Sequence, residues 1–139
     1  MTRKPLMAAL LSVGLIAGCG DSAEDKALAD VCSARTDIAK QVDGLKGLTL
    51  TSATTAQISD MLGAIRDDLS QISGARDQLS EGRRGEVDDA NEAFAATVRE
   101  TASTVVTTTS IDDAKAELDS AFGELAAAYR SSYAKIDCP

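Results

Sequence analysis

The sequence predicts an all-α protein, an antiparallel up-down-up-down four-helix bundle. Three observations lead there. Apolar residues recur at alternating spacings of three and four along four stretches, the period of an amphipathic helix. Helix-start signals precede those stretches, and the connections are short enough to fold successive helices back on one another. No stretch sustains the period-two alternation of a half-buried strand.

The first helix is expected over residues 22–46. Asp21-Ser22 offers a cap, and Glu24-Asp25 places acids in the first turn, where the macrodipole favours them. Its apolar row is Leu28, Val31, Ile38, Val42 and Leu45, with Arg35 standing where the row should continue. Gly44 and Gly47 loosen its end. The second helix, over 54–80, starts at Thr54-x-x-Gln57, a capping-box pattern. Its row runs through Ile58, Leu62, Ile65, Leu69, Ile72 and Leu79 and is interrupted by Arg76. Glu81-Gly82-Arg83-Arg84-Gly85 reads as a solvated connection, because two glycines break the helix.

The third helix is expected over 86–106, on Val87, Ala90, Phe94, Val98, Ala102 and Val105. It runs into a Thr-Val-Val-Thr-Thr-Thr tract from Thr104 to Thr109, where β-branched residues lose χ1 freedom. The tract reads as a fraying end. An O-glycosylated patch is the sharper alternative and a short buried strand a weaker one. The fourth helix, over 111–136, has Ser110 as its cap ahead of Asp112-Asp113. Its row includes Leu118, Phe122, Leu125, Tyr129 and Ile136.

Composition narrows the function. A chain of 139 residues supports one domain. With 14 basic against 22 acidic residues, the net charge of −8 argues against nucleic acid as a partner. The absence of histidine excludes imidazole catalysis, imidazole metal sites and a His switch near neutral pH. It also excludes the Glu-x-x-His pattern of di-metal carboxylate bundles. The pairs Asp67-Asp68, Asp88-Asp89 and Asp112-Asp113 point about 100° apart on a helix and do not share a site. Asp88, Asp89 and Glu92 could hold Ca²⁺, but no loop has EF-hand spacing, and the acids read as a solvated face. Serine-nucleophile motifs, phosphate-binding glycine loops and zinc spacings are absent. No catalytic residue, cofactor or metal site is assigned, and the chain is not expected to be an enzyme.

The N-terminus reads as an export signal over residues 1–18. Arg3 and Lys4 form a positive start, and Leu6–Ala17 is apolar but for Ser12. That run is too short for a bilayer core of ~30 Å, which needs ~20 helical residues. Its end, Ile16-Ala17-Gly18-Cys19, resembles the lipobox of bacterial lipoproteins. The resemblance implies that Cys19 carries a diacylglyceryl group and begins the mature chain. Residues 19–21 would then be a short tether and 22–139 the bundle domain. The alternatives are an ordinary secretory signal with a chance cysteine and a retained anchor. Two acyl chains hold a protein where one holds only marginally, at ~0.8 kcal/mol per buried CH₂. Removal of Arg3 and Lys4 takes the net charge from −8 to −10, which repels anionic lipid.

Lipidation of Cys19 leaves Cys32 and Cys138, one near each end of the mature chain. Outside the cytoplasm they are expected to form a disulfide. Its long loop gives a stabilisation of about 4–5 kcal/mol in the chain-entropy model. A redox pair is the alternative, but no Cys-x-x-Cys spacing exists and no cationic neighbours are evident in the sequence. In an up-down bundle the start of the first helix and the end of the last share one end. Cys32, Cys138 and the lipid on Cys19 then agree.

Arg35 and Arg76 are the candidate ligand contacts, because each occupies an inward position. Either the stem packs while the guanidinium reaches a nearby Asp, or the two line a polar pocket between helices 1 and 2 for an anionic or polar ligand. Tyr129 and Tyr133, four apart on one face, are expected to pack at the core edge with hydroxyls outward. Contact with lipid headgroups or a partner is the alternative.

Residues 31–138 resemble small exported proteins of actinobacteria. The resemblance rests on Val31-Cys32-Ser33-Ala34-Arg35-Thr36-Asp37-Ile38, on Asp67-Asp68-Leu69, and on Glu86-Val87-Asp88 with Asn91-Glu92-Ala93-Phe94. It closes on Ala126-Ala127-Ala128-Tyr129 and Cys138. Those proteins look like Ala-rich helical bundles with a cysteine near each end, often lipoproteins. The resemblance implies a topology and a cell type but transfers no catalytic or ligand residue. The functional expectation is a non-enzymatic lipoprotein on the outer face of the cell membrane that binds an envelope protein or component. The alternative is a small-ligand or lipid carrier using the bundle interior.

Overall fold

The computed structural model describes residues 22–50 and 54–138. The leader, the lipobox and Cys19 lie outside the described residues. Four α-helices are present: α1 (Ala23–Lys46), α2 (Thr55–Ala75), α3 (Glu81–Thr107) and α4 (Ile111–Tyr133). A 3₁₀ turn, Arg76–Gln78, follows α2, and no strand occurs among the described residues. The all-α bundle is the class that the 3.6-residue period predicts.

Two caps form as the sequence implies. Ser22 Oγ accepts from the Asp25 amide at 3.2 Å, and Thr54 Oγ1 accepts from Gln57 at 3.1 Å. Each satisfies one of the amides that a helix start leaves without a partner. Ser110 stands at the cap position of α4, but its hydroxyl makes no capping bond.

The apolar rows turn inward. Val31, Ile38, Ile58, Ile65, Ile72, Phe94, Leu118 and Leu125 are fully buried in one cluster. Ala27, Ala34, Ala90 and Ala126 fill places between them, which lets the helices approach closely. Gly44 also serves an approach: a Cβ there would lie 2.7 Å from Met61 Cε on α2. The glycine admits that side chain while α1 continues to Lys46.

In the contacts that join α1 to α2, α2 to α3 and α4 to α1, residue numbers rise on one side as they fall on the other. Between α1 and α2, Gly44 faces Met61 while Glu24 meets Ser80 just beyond α2. Between α2 and α3, Asn91 reaches Leu69 and Ser73 while Asp88 reaches Arg76. Tyr129 of α4 reaches Arg35 of α1, and the segment after α4 is joined to Cys32.

Four boundaries differ from the expectation. α2 ends at Ala75, five residues early, where the chain tightens into the 3₁₀ turn Arg76–Gln78. α3 starts at Glu81, five residues early, and takes in both Gly82 and Gly85. The connection shrinks to Leu79-Ser80. Leu79 is buried, and Arg84 reaches back to the carbonyls of Asp77 at 3.0 Å and Leu79 at 3.4 Å. Burial of Leu79 and Val87 on either side outweighs a glycine penalty of about 1 kcal/mol per residue. α4 ends at Tyr133, three residues early, because Ile136 turns back and buries itself. α3 continues through the threonine tract to Thr107. Thr104, Thr107 and Thr108 each donate a hydroxyl bond to the carbonyl four residues back, at 3.3, 3.1 and 2.8 Å. The tract is helical rather than frayed up to that point.

Candidate functional site

Chemistry-bearing side chains converge where the start of α1 meets the end of α4. Cys32 lies on α1, and Cys138 lies five residues beyond α4. A disulfide joins them across 106 positions, with Cα atoms 5.7 Å apart. Arg35 is three residues after Cys32 and therefore on the same helix face. Its Nη1 donates to the Ile136 carbonyl at 2.6 Å and lies 3.6 Å from Cys138 Sγ. The sequence reading found no cation beside the cysteines. The structure supplies one, and the i, i+3 spacing of Cys32 and Arg35 was the signal available.

Beneath this clasp sits an aromatic cluster. Phe94, Tyr129 and Tyr133 have ring centroids 5.3 to 5.7 Å apart, with Phe94 edge-on to both tyrosines. The expected outward hydroxyls are a correction. Tyr129 Oη donates to the Arg35 carbonyl at 2.9 Å, and Tyr133 Oη donates to Asn91 Oδ1 at 3.1 Å. Tyr133 is 1% exposed, and burial pushes its phenol well above the ordinary tyrosine range, against the pull of Arg35. The hydroxyl is a fixed donor. Asn91, which the sequence analysis did not single out, spends its amide on Leu69 O at 3.2 Å and Ser73 Oγ at 2.9 Å. One side chain on α3 thus ties α2 and α4 together.

Arg35 and Arg76 do not meet. Arg76 Nη1 pairs with Asp88 Oδ1 of α3 at 2.6 Å, and Asp77 lies 3.7 Å from its Nε. The hydrogen bond to Asp88 raises its guanidinium further above its ordinary value. The packing explains the separation. Gly44 faces Met61, which brings Arg35 level with residue 70, about six residues or ~9 Å short of Arg76. The two arginines thus make separate attachments rather than lining one pocket between α1 and α2: Arg76 reaches a nearby Asp on α3, as the first of the two readings has it, and Arg35 holds the tail after α4.

Two open grooves adjoin along the α1–α4 seam and share Ala39 and Tyr129. One, of about 510 Å³, includes Arg35, Asp137 and Cys138. The other, of about 250 Å³, includes Val42, Ala126, Lys46, Arg130 and Asp43. A third groove, of about 260 Å³ between α3 and α4, is lined by Glu100, Glu117, Glu124 and hydroxyls such as Thr97. Among the described residues no three acidic or cysteine groups lie close enough to hold a metal ion. Every buried side-chain polar atom described has a partner. No helix described is long and apolar enough to cross a membrane.

Comparison of the chain with protein-family models, curated proteins and solved structures finds no match.

Proposed function

We propose that the chain is a lipid-anchored module of the cell envelope that binds another envelope component and catalyses no reaction. One observation supports this above others. Ile16-Ala17-Gly18-Cys19 ends three residues ahead of Ser22, the cap at which the rigid bundle begins. Three extended residues span about 10 Å. Lipid on Cys19 would hold the clasped end of the bundle that close to the membrane surface. The acidic body is repelled by anionic lipid, so it stands away from the surface with the α3–α4 turn outermost.

Intact mass of the protein from its native membrane, with and without reductant and alkylation, tests the reading. The expected species begins at Cys19, carries a diacylglyceryl group and shows no free thiol before reduction. Cys19→Ser should release the protein from the membrane fraction. An unlipidated native mass overturns the anchor.

The carrier reading has one observation in its favour, the paired grooves on the α1–α4 seam. Ala39, Val42 and Ala126 give them a small-residue floor, and Arg35, Lys46 and Arg130 set cations along them. The seam would take an anionic amphiphile, because the interior is filled by side chains. Titration with a fluorescent fatty acid decides the matter. Saturable binding weakened by Lys46→Gln and Arg130→Gln favours a carrier, and no saturable binding removes it.

A further inference from the structure

We propose that Thr109, in the turn between α3 and α4, is an O-glycosylation site whose hydroxyl carries hexose. Occupancy of the site depends on the export proposed above, because Ser/Thr tracts of exported chains can carry O-linked sugar. The tract from Thr104 to Thr109 holds four threonine hydroxyls, and the fold separates them. Thr104 donates to Glu100 O at 3.3 Å, and Thr107 donates to Ser103 O and Thr104 O, both at 3.1 Å. Thr108 donates to Thr104 O at 2.8 Å. Each of these hydroxyls is folded back against its own helix, with its proton engaged.

Thr109 is placed differently. It is exposed at a bend beyond α3, and its hydroxyl has no partner among the described residues. Thr108 and Ser110 on either side have extended backbone, with ψ of 117° and 127°. An exposed extended segment can enter the cleft of a modifying enzyme, whereas a helix keeps its backbone closed. α4 runs 23 residues from Ile111 to Tyr133, about 35 Å, so Thr109 stands that far from the clasped end. In the orientation proposed above, the turn faces away from the membrane. Ser80 is also exposed and outside a helix, with no capping bond, but it stands at the clasped end with its amide on Glu24 at 3.3 Å. Val106, three residues before Thr109, is 82% exposed, and sugar on Thr109 would lie close enough to cover it.

The donor is a glycosyl phosphate. Thr109 Oγ1 forms a bond to the anomeric carbon, the bond from that carbon to the phosphate oxygen breaks, and its electron pair leaves on the phosphate. The hydroxyl proton passes to a base of the transferase. Neither an oxidant nor a reductant is needed.

The test is intact and fragment mass of the full chain from its native membrane. The expected chain is heavier by one or more anhydrohexose units, mapped by fragmentation to Thr109. Thr109→Val should remove them, Thr109→Ser should keep them, and Thr107→Val should leave them in place. A lipidated chain without sugar overturns this proposal and leaves the anchor standing. Sugar on Thr109 of a chain without lipid does the reverse, and a chain with neither overturns both. Sugar on Thr104, Thr107, Thr108 or Ser80 in place of Thr109, or a sugar content unchanged in Thr109→Val, also overturns the site.

Discussion

The two ends of the bundle are held by different physics. At the clasped end, helices are fastened by named polar bonds: Arg35 to Ile136, Tyr129 to Arg35, Tyr133 to Asn91, Asn91 to α2, and Arg76 to Asp88. A disulfide and three packed rings add to them. At the far end, aliphatic packing carries the load. Val42, Leu45, Val105 and Leu118 are buried there, the start of α4 lacks a side-chain cap, and Val106 is 82% exposed. The threonine hydroxyls there bond within their own helix and join nothing across. Aliphatic packing is non-directional and tolerates volume-conserving change, whereas a buried polar network fails when one member is lost. The clasped end therefore fixes the register of the helices, and the far end follows it.

Opening the clasp is expected to produce the largest loss. Cys138→Ser should cost about 4 kcal/mol in the chain-entropy model, read as a lower denaturation midpoint. Hydrogen exchange should accelerate first in the last turns of α4, with the far end of α3 little changed; uniform loss of protection would erase the contrast. Next comes Asn91→Leu, which leaves the buried Tyr133 hydroxyl without its acceptor. About 1–3 kcal/mol of destabilisation is expected, and the double change Asn91→Leu with Tyr133→Phe should recover part of it. A cost below ~0.5 kcal/mol would remove Asn91 from the network.

Gly85→Ala should act in the opposite direction. Gly85 lies inside α3 with open space where its Cβ would go, so about 0.5–1 kcal/mol of added stability is expected in thermal melts. Destabilisation would show that α3 needs the glycine. The smallest effect belongs to Asp68. Burial, then Asp37 across on α1, then neighbouring Asp67 raise its carboxyl above the ordinary value. The folded state therefore binds that proton more tightly than the unfolded chain does. This contribution makes stability fall as pH rises from the unfolded value to the raised one. Asp68→Asn should be slightly more stable than the natural protein at neutral pH. The difference should shrink on acidification, and a pH-independent difference would contradict the assignment.

Much of the fold was legible in the sequence because it is written in the apolar rows. Ile58, Leu62, Ile65, Leu69 and Ile72 are all buried, as are Val87, Ala90, Phe94, Val98, Ala102 and Val105. The cysteine pair followed from the odd cysteine count together with the helix directions. The site was less legible, because its contacts are non-local. The partner of Arg35 depends on where α4 stops, and α4 stops at Tyr133 because Ile136 turns back into the core. Asp88, Asp89 and Glu92 read as a solvated face, and nothing local in the sequence marked Asn91 between them as the side chain that bonds to both α2 and α4. The helix start at Glu81 was hidden by two glycines whose local preference is overruled by Leu79, a residue outside the helix.

The bond between Cys32 and Cys138 also sets how the molecule bears load. Tension applied between residue 22 and residue 138 runs along the first turns of α1 and crosses directly through the sulfurs. The 106 positions enclosed between the cysteines are bypassed. The rest of α1, with α2, α3 and α4, forms a mechanically shielded loop, and a pull that would unravel an unlinked bundle extends only ten residues of helix.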